Sequence, residues 1–500
     1  MNNREQREQK DLVVYAMANP ANIVLTTDAY KQGHWKQYPK NVTKIQSYFE
    51  SRGSDDELQM TVFFGLQIII KKYLQGVVVT QDMVDEADEF CKKMFGQDYF
   101  NRAGWERIVN VHGGKLPIRI KAVPEGSVLP VHNVLMTIES TDDEIPFITN
   151  FVETLLVQMW YPITVATKSY RIKNLISKYA KLTGCEVSPF SLNDFGERGA
   201  SSMETAGIGG CAHLVNFMGT DTIEGIRYAM RYYNTDVCGY SVMAAEHSTI
   251  TIYGRENEAE AVEAVIDAAP ESATVAIVSD SYDIYNACRN IFGKRLKTKI
   301  LTRSGKVVVR PDSGFPPEVC VKVLNILWEA FGGTINAKGY KVLDPHIGVI
   351  YGDGIDYPMI DEILAAVMNA GYSTENVVFG MGGALLQIIN RDTYKFAFKC
   401  CAAIRGGEWI LVGKDPATDY GKRSKRGRMI LIENDEGEYE TIVETDERYA
   451  AEVDNDLLVT VFENGELVRE YTFDEVRQRV ESERAKYANF KARELELVEQ

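Results

Sequence analysis

Three short stretches end a β-branched run in a carboxylate beside small residues: ATVAIVSD (273–280), KVVVRPDSG (306–314) and HIGVIYGDG (346–354). Asp280, Asp312 and Asp353 thus offer hard oxygen ligands suited to ribose hydroxyls or a magnesium ion. A helix N-cap competes as the explanation for any one of them, because a short acid after a strand also satisfies free backbone N–H groups. Capping explains three together poorly. A fourth stretch, NVVFGMGGALLQ (376–387), places glycines between a strand-like run and a helical pattern, where backbone N–H groups can approach a phosphate. A tight turn needing positive φ accounts for the same glycines. KRSKRGR (422–428) has five basic side chains in seven positions. With Lys414 before it, the run reads as a loop closing over a pyrophosphate, or as a solvated or nucleic-acid-binding face. His247, in YSVMAAEHSTIT (240–251), is either a core or capping histidine or a nucleophile. Neither an HExxH pair nor a GxSxG elbow occurs, so nothing points to hydrolysis by a triad or by zinc.

These residues need elements to hold them. FSLNDFG (190–196) joins the runs above as a further short strand, and helical stretches such as 317–331 and 357–372 lie between strands. Strand then helix, repeated, implies parallel strands joined by crossovers, and in a (β/α) barrel the strand C-termini share one face. Outside this region the texture changes. Residues 45–52 alternate like a strand, 66–74 have helical spacing, and 115–140 read as consecutive strands with Pro and Gly turns. Residues 429–443 and 457–473 read as hairpins, the second turning at ENGE, and a charged helix follows from 474. The expected division is a polar leader over 1–20, a discontinuous β-rich α+β domain over 21–155 plus 404–500, and a (β/α) barrel-like catalytic domain over 156–403.

The net charge of −16 on 500 residues argues against general attraction to nucleic acid or to an anionic membrane, so an anionic ligand needs a local basic pocket. Eight scattered cysteines without a CxxC pair read as reduced thiols rather than a disulfide framework or zinc site. The N-terminus is polar, and the longest apolar stretches fall far short of a membrane span. A cytoplasmic protein is the expectation.

Several blocks carry a resemblance: TTDAYKQGHWKQYP (26–39), NDFGERGASSMETAGIGGCAHLVNFMGTDT (193–222), GYSVMAAEHSTIT (239–251), SDSYDIYNAC (279–288), RPDSG, GDG and KRSKRGR. In order and over about 22–475 the chain resembles the nicotinamide phosphoribosyltransferase family, within the type II phosphoribosyltransferases. The resemblance implies an α/β fold with an irregular (β/α) barrel and a second β-rich α+β domain, in a homodimer with active sites at the subunit interface. The implied reaction joins nicotinamide to phosphoribosyl pyrophosphate (PRPP), giving nicotinamide mononucleotide and pyrophosphate in NAD salvage. It needs Mg²⁺, and ATP enters as a co-substrate.

By the same resemblance, Phe195 and the Tyr30 of a second subunit clamp the pyridine ring, with Asp28 nearby. Asp221 accepts the carboxamide N–H, and Arg198 and Arg310 flank the ring and its amide. Asp312, Gly352, Asp353, Gly382 and Gly383 take the ribose and phosphate, while Arg52, Arg391, Lys399, Lys414 and Lys422 meet the pyrophosphate. Asp280 and Asp312 help to hold magnesium, and His247 is the histidine phosphorylated by ATP. A pyridine nitrogen is already a nucleophile, which agrees with the missing triad. The chain departs from the animal pattern at Ala276 and Ala397, where serines are expected, at Gly348 for an arginine and at Glu197 for a tyrosine. The competing functions are a transferase using nicotinate, a barrel that binds without turnover, and a nucleic-acid-binding protein.

Overall fold

The structure is a computed structural model that describes residues 22–54, 58–418 and 422–498, with side chains to 487. The expected polar leader lies outside the described residues. The chain forms two compact units, one from 1–163 and 391–500, the other from 164–390.

The first unit is built on a seven-stranded sheet that is antiparallel throughout. Its order is Glu408–Leu411, Phe396–Arg405, Val42–Ser51, Val134–Ser140, Ile118–Ala122, Val459–Glu463 and Glu466–Leu467. Ile118–Ala122 alternates buried and partly exposed residues, as a sheet with one face on a core requires. That core gathers Phe49, Trp105, Ile120, Met136 and Phe462. The ENGE turn is a tight hairpin in which Asn464 and Gly465 both have positive φ, as a two-residue loop demands. Met429–Glu433 and Tyr439–Val443 form the other expected hairpin.

Two details differ from the sequence reading. Phe396–Arg405 pairs along Val42–Ser51 and so falls in this unit, although the sequence placed a boundary at 403/404. The preceding strand-and-glycine pattern hid where the repeat stopped. Val128–Pro130, read as consecutive with its neighbours, leaves the main sheet and pairs with Met60–Val62.

The second unit is a curled parallel sheet with helices between its strands. The order is Gly219–Thr220, Leu192–Asp194, Val377–Met381, Ile347–Tyr351, Val307–Arg310, Val275–Val278 and Met243–Ala244. Gly219 also bridges in parallel to Tyr240, three residues before the opposite edge strand, so the two edges meet and the sheet curls into an irregular barrel. Pro316–Phe331 and Tyr357–Asn369 are two of its crossover helices; each has Pro in its first turn and packs Ile, Leu and Val inward. The interior holds a small cluster of Ala276, Val308 and Ile350, with Phe195 and Val378 against it.

Candidate active site at the strand ends

Every candidate residue carried by the second unit, apart from Arg198, lies at or within a few positions of a strand C-terminus. Asp194 ends its strand and is followed by Phe195; Thr220 is followed by Asp221; Arg310 ends its strand two residues before Asp312. Gly352 and Asp353 follow Tyr351, Gly382 and Gly383 follow Met381, and His247 opens the helix His247–Thr251. Because the strands are parallel, these ends share one face of the sheet.

A polar cluster forms there. His247 Nε2 stands 3.3 Å from Asp312 Oδ2 and 3.8 Å from Asp280 Oδ1, while its Nδ1 is 3.1 Å from Ser281 Oγ. Arg310 Nε is 3.7 Å from Asp312 Oδ1. Ser313 donates to Asp280 Oδ2. Asp280 Oδ1 and Arg310 Nε are buried without a hydrogen-bond partner. Buried polar atoms without a hydrogen bond are costly even beside an opposite charge, so these atoms fit a site completed by something else. Two carboxylates beside a polyphosphate suit magnesium, which keeps several water and phosphate ligands. Among the described residues no group of three or more metal-ligating side chains occurs, so the protein alone builds no complete cage.

Phe195 is fixed by the absence of side chains around it. A Cβ on Gly380 would sit 1.9 Å from its ring and one on Gly352 3.1 Å from it. Gly352 therefore makes room for the ring, and Gly380 was absent from the sequence-derived set. Asp194 is fully buried and accepts the Gly196 N–H at 2.7 Å, and its carbonyl accepts the Asp221 N–H at 2.8 Å. Burial, with help from Asp221 and Glu197, pushes the Asp194 carboxyl up to about 6. Ser241 donates to Asp221. Glu197, the departure from the animal pattern, accepts the N–H of Ile223, the first residue of the helix Ile223–Tyr233, so it ties the Phe195 loop to the Asp221 loop. Arg198 and Asp353 are exposed. Gly382 and Gly383 open only a four-residue helix, Gly383–Leu386, so a phosphate here would meet loop N–H groups rather than a helix dipole. Lys168, also unforeseen, donates to the Ala384 carbonyl of this loop. Tyr351, buried and likewise unforeseen, donates to the carbonyl of Ser313 at 3.0 Å and so holds the RPDSG loop.

The remaining candidates belong to the first unit. Burial holds the Lys399 ammonium below the usual lysine range; the Glu153 carboxylate opposes this, while the charges of Arg52, Lys414 and Arg391 add to it, so three of the other four expected cations lie within electrostatic reach of Lys399. Lys414 and Ser424 pair backbone to side chain and backbone to backbone, closing the mouth of the basic loop. Within KRSKRGR, Arg423 and Arg426 pair with Asp415, Lys425 with Glu50 and Arg428 with Glu444. The run is thus largely neutralised by its own unit, which weakens its reading as a nucleic-acid face. Lys422 is exposed. Tyr30 is 63% exposed and meets His34 edge-on, and Asp28 accepts from Thr154 Oγ1 at 2.7 Å. All eight cysteines are free thiols. No helix among the described residues is long and apolar enough to cross a membrane.

Comparison with known proteins gives the family and the fold. Residues 22–120 match the model of the nicotinamide phosphoribosyltransferase N-terminal domain. The chain is 48% identical over 468 residues to a nicotinamide phosphoribosyltransferase of Xanthomonas campestris pv. campestris, covering 93% of this chain and 99% of that protein. It is 33% identical to one from Acinetobacter baylyi, over 92% of this chain and 97% of that one. In three dimensions it resembles the crystal structure of nicotinate-nucleotide pyrophosphorylase from Pyrococcus furiosus, with a TM-score of 0.58, 17% identity and coverage of 93% and 96%, which is a likeness of fold. Residues 190–466 match the model of the nicotinate phosphoribosyltransferase (NAPRTase) family, and the chain is a member of that family of phosphoribosyltransferases.

Proposed function

We propose that this protein transfers the phosphoribosyl group of PRPP to nicotinamide, releasing nicotinamide mononucleotide and pyrophosphate in NAD salvage. The observation that carries the reading is the cluster of His247, Asp280, Arg310 and Asp312 at parallel strand ends, with buried polar atoms that lack a hydrogen-bond partner. The names of its relatives support nicotinamide as the acceptor.

The pyridine nitrogen attacks C1′ of the ribose with its own lone pair as the bond from C1′ to the pyrophosphate oxygen breaks. Nitrogen gains the bond, the leaving oxygen keeps the electron pair, and no proton need move. Catalysis is therefore a matter of alignment and of stabilising charge. Phe195, wedged against Gly352 and Gly380, presents a flat face to the ring, and the exposed Tyr30 of a second copy closes the other face in a homodimer. Asp221 accepts the carboxamide N–H and repels the carboxylate of nicotinate; a misplaced like charge costs several kcal/mol, which sets specificity. Arg198 and Arg310 flank the ring and amide, Asp312 and Asp353 hold ribose hydroxyls, and Gly382 and Gly383 offer N–H groups to the phosphate. Asp280 and Asp312 would hold a magnesium ion, which would supply charge neutralisation on the pyrophosphate. Arg52, Arg391, Lys399, Lys414 and Lys422 clamp that leaving group.

His247 has one ring nitrogen facing Ser281 and the other facing Asp312, a setting that suits phosphorylation by ATP and subsequent hydrolysis coupled to synthesis. A cytoplasmic location follows from this substrate set. Product analysis with nicotinamide, PRPP and Mg²⁺, with and without ATP, tests the proposal. Nicotinamide mononucleotide and pyrophosphate in equal amounts, with ATP consumed and the yield raised, is the expected outcome. Failure to form the nucleotide would overturn the reading; formation unaffected by ATP would remove the role given to His247.

A further inference from the structure

One buried charge cluster of the first unit centres on a residue outside every set above. Glu50 lies in the strand Val42–Ser51 and is 2% exposed. Its Oε1 accepts from Arg52 Nε at 2.8 Å and from Tyr48 Oη at 3.2 Å, and its Oε2 accepts from Lys425 Nζ. Tyr48 Oη in turn accepts the backbone N–H of Lys425 at 3.0 Å. A strand end and the basic loop therefore meet on one carboxylate. A buried carboxylate is tolerated only with its lone pairs engaged, and here two cations and a phenol engage them.

Arg52 offers Nε to Glu50, which fixes the plane of the guanidinium while Nη2 remains buried with no hydrogen-bond partner. Arg52, with Lys414 and Arg391, also acts on Lys399 as a repelling charge, which Glu153 offsets only in part, since burial and these cations together hold the ammonium below its usual range. Such a group of cations repels itself when no anion is bound, and long side chains disperse at little cost. A fixed anion behind the cluster offsets that repulsion and keeps donors turned toward an incoming diphosphate.

We propose that Glu50 is a positioning residue for the diphosphate-binding cations, setting the pose of Arg52 directly and of the 422–428 loop through Lys425. This rests on the reading of that cluster as the pyrophosphate clamp. It also gives Lys425 a separate role from Lys422: its ammonium holds the loop rather than the ligand.

Glu50→Gln keeps the shape and removes the charge. Loss of one charge-assisted contact predicts that KM for PRPP and the inhibition constant of inorganic pyrophosphate both rise about tenfold. KM for nicotinamide is expected to stay within about twofold, since the acceptor is held elsewhere. Lys425→Met, measured the same way, carries the test if Glu50→Gln does not fold, and Glu50→Asp should restore part of the pyrophosphate affinity. Unchanged PRPP and pyrophosphate constants in a folded Glu50→Gln protein, or an equal loss in every constant with a lowered Tm, would overturn the proposal. A wild-type protein that neither turns over PRPP nor binds pyrophosphate would sink the underlying reading instead, which separates the two failures.

Discussion

The strand ends of the parallel barrel and the charged interior of the antiparallel unit are both dense in ionisable groups, yet they hold charge differently. At the strand ends His247, Asp280, Arg310 and Asp312 stand 3.3–3.8 Å apart, with Asp280 Oδ1 and Arg310 Nε buried and without a hydrogen-bond partner. In the other unit Asp142 is gripped by Arg107 Nε at 2.7 Å and His112 Nε2 at 2.6 Å, and Asp142 Oδ1 also accepts the Glu144 N–H at 3.0 Å. Loose, unsatisfied polar groups on rigid strand ends are poised for a ligand, whereas closed ion networks hold the fold.

Removing a poised charge should cost turnover and little stability. Asp280→Asn is expected to lower kcat/KM for PRPP by on the order of 10²–10³ while leaving the Tm nearly unchanged, measured by steady-state kinetics and calorimetry. A large Tm loss would place Asp280 among the structural acids instead.

Space around Phe195 gives the next effect. Gly380→Ala puts a methyl 1.9 Å from the ring and should raise KM for nicotinamide by roughly tenfold or more, whereas Gly383→Ala, with nothing within 4 Å, should change it by less than about threefold.

The closed network predicts the reverse pattern. Asp142→Asn should reduce stability by roughly 1–3 kcal/mol in denaturant titrations and leave kcat within about twofold.

The two units should also answer acid with opposite signs. Against the burial that opposes it, hydrogen bonds from Arg107, His112 and the Glu144 N–H bring Asp142 down to about 2. Its stabilisation is present above the usual aspartate value and is lost as pH falls toward 2. Asp194 is held up at about 6, so the stability it contributes while protonated is full below the usual aspartate value and is lost as pH rises through 6. Asp194→Asn should flatten that loss between about pH 4 and 6 by on the order of 1 kcal/mol, read from unfolding curves across that window. A wild-type curve without that slope would remove the contrast.

Much of this organisation was legible in the chain. The strands ending at Asp194, Val278, Arg310, Tyr351 and Met381 announce themselves because buried parallel strands are short apolar runs cut off by Asp and Gly. Gly219–Thr220 and Met243–Ala244, two residues each, are too short to carry a period, so barrel closure through Tyr240 was invisible. Local patterns also gave the acids and the basic run, but not their partners. Glu50 meets Lys425 across 375 positions, and Tyr351 reaches Ser313 across 38. Gly380 was legible only as part of a glycine-rich stretch, since its particular need arises from the Phe195 ring, which follows a different strand.

One competition assay reaches the central claim most directly: wild type and Asp221→Asn given nicotinamide and nicotinate together, with PRPP and Mg²⁺, and the two mononucleotides quantified by mass spectrometry. Nicotinamide mononucleotide should dominate in the wild type by at least about a hundredfold, and the ratio should shrink by an order of magnitude or more in the variant. Nicotinate mononucleotide as the main wild-type product, or a ratio indifferent to Asp221, would contradict the account.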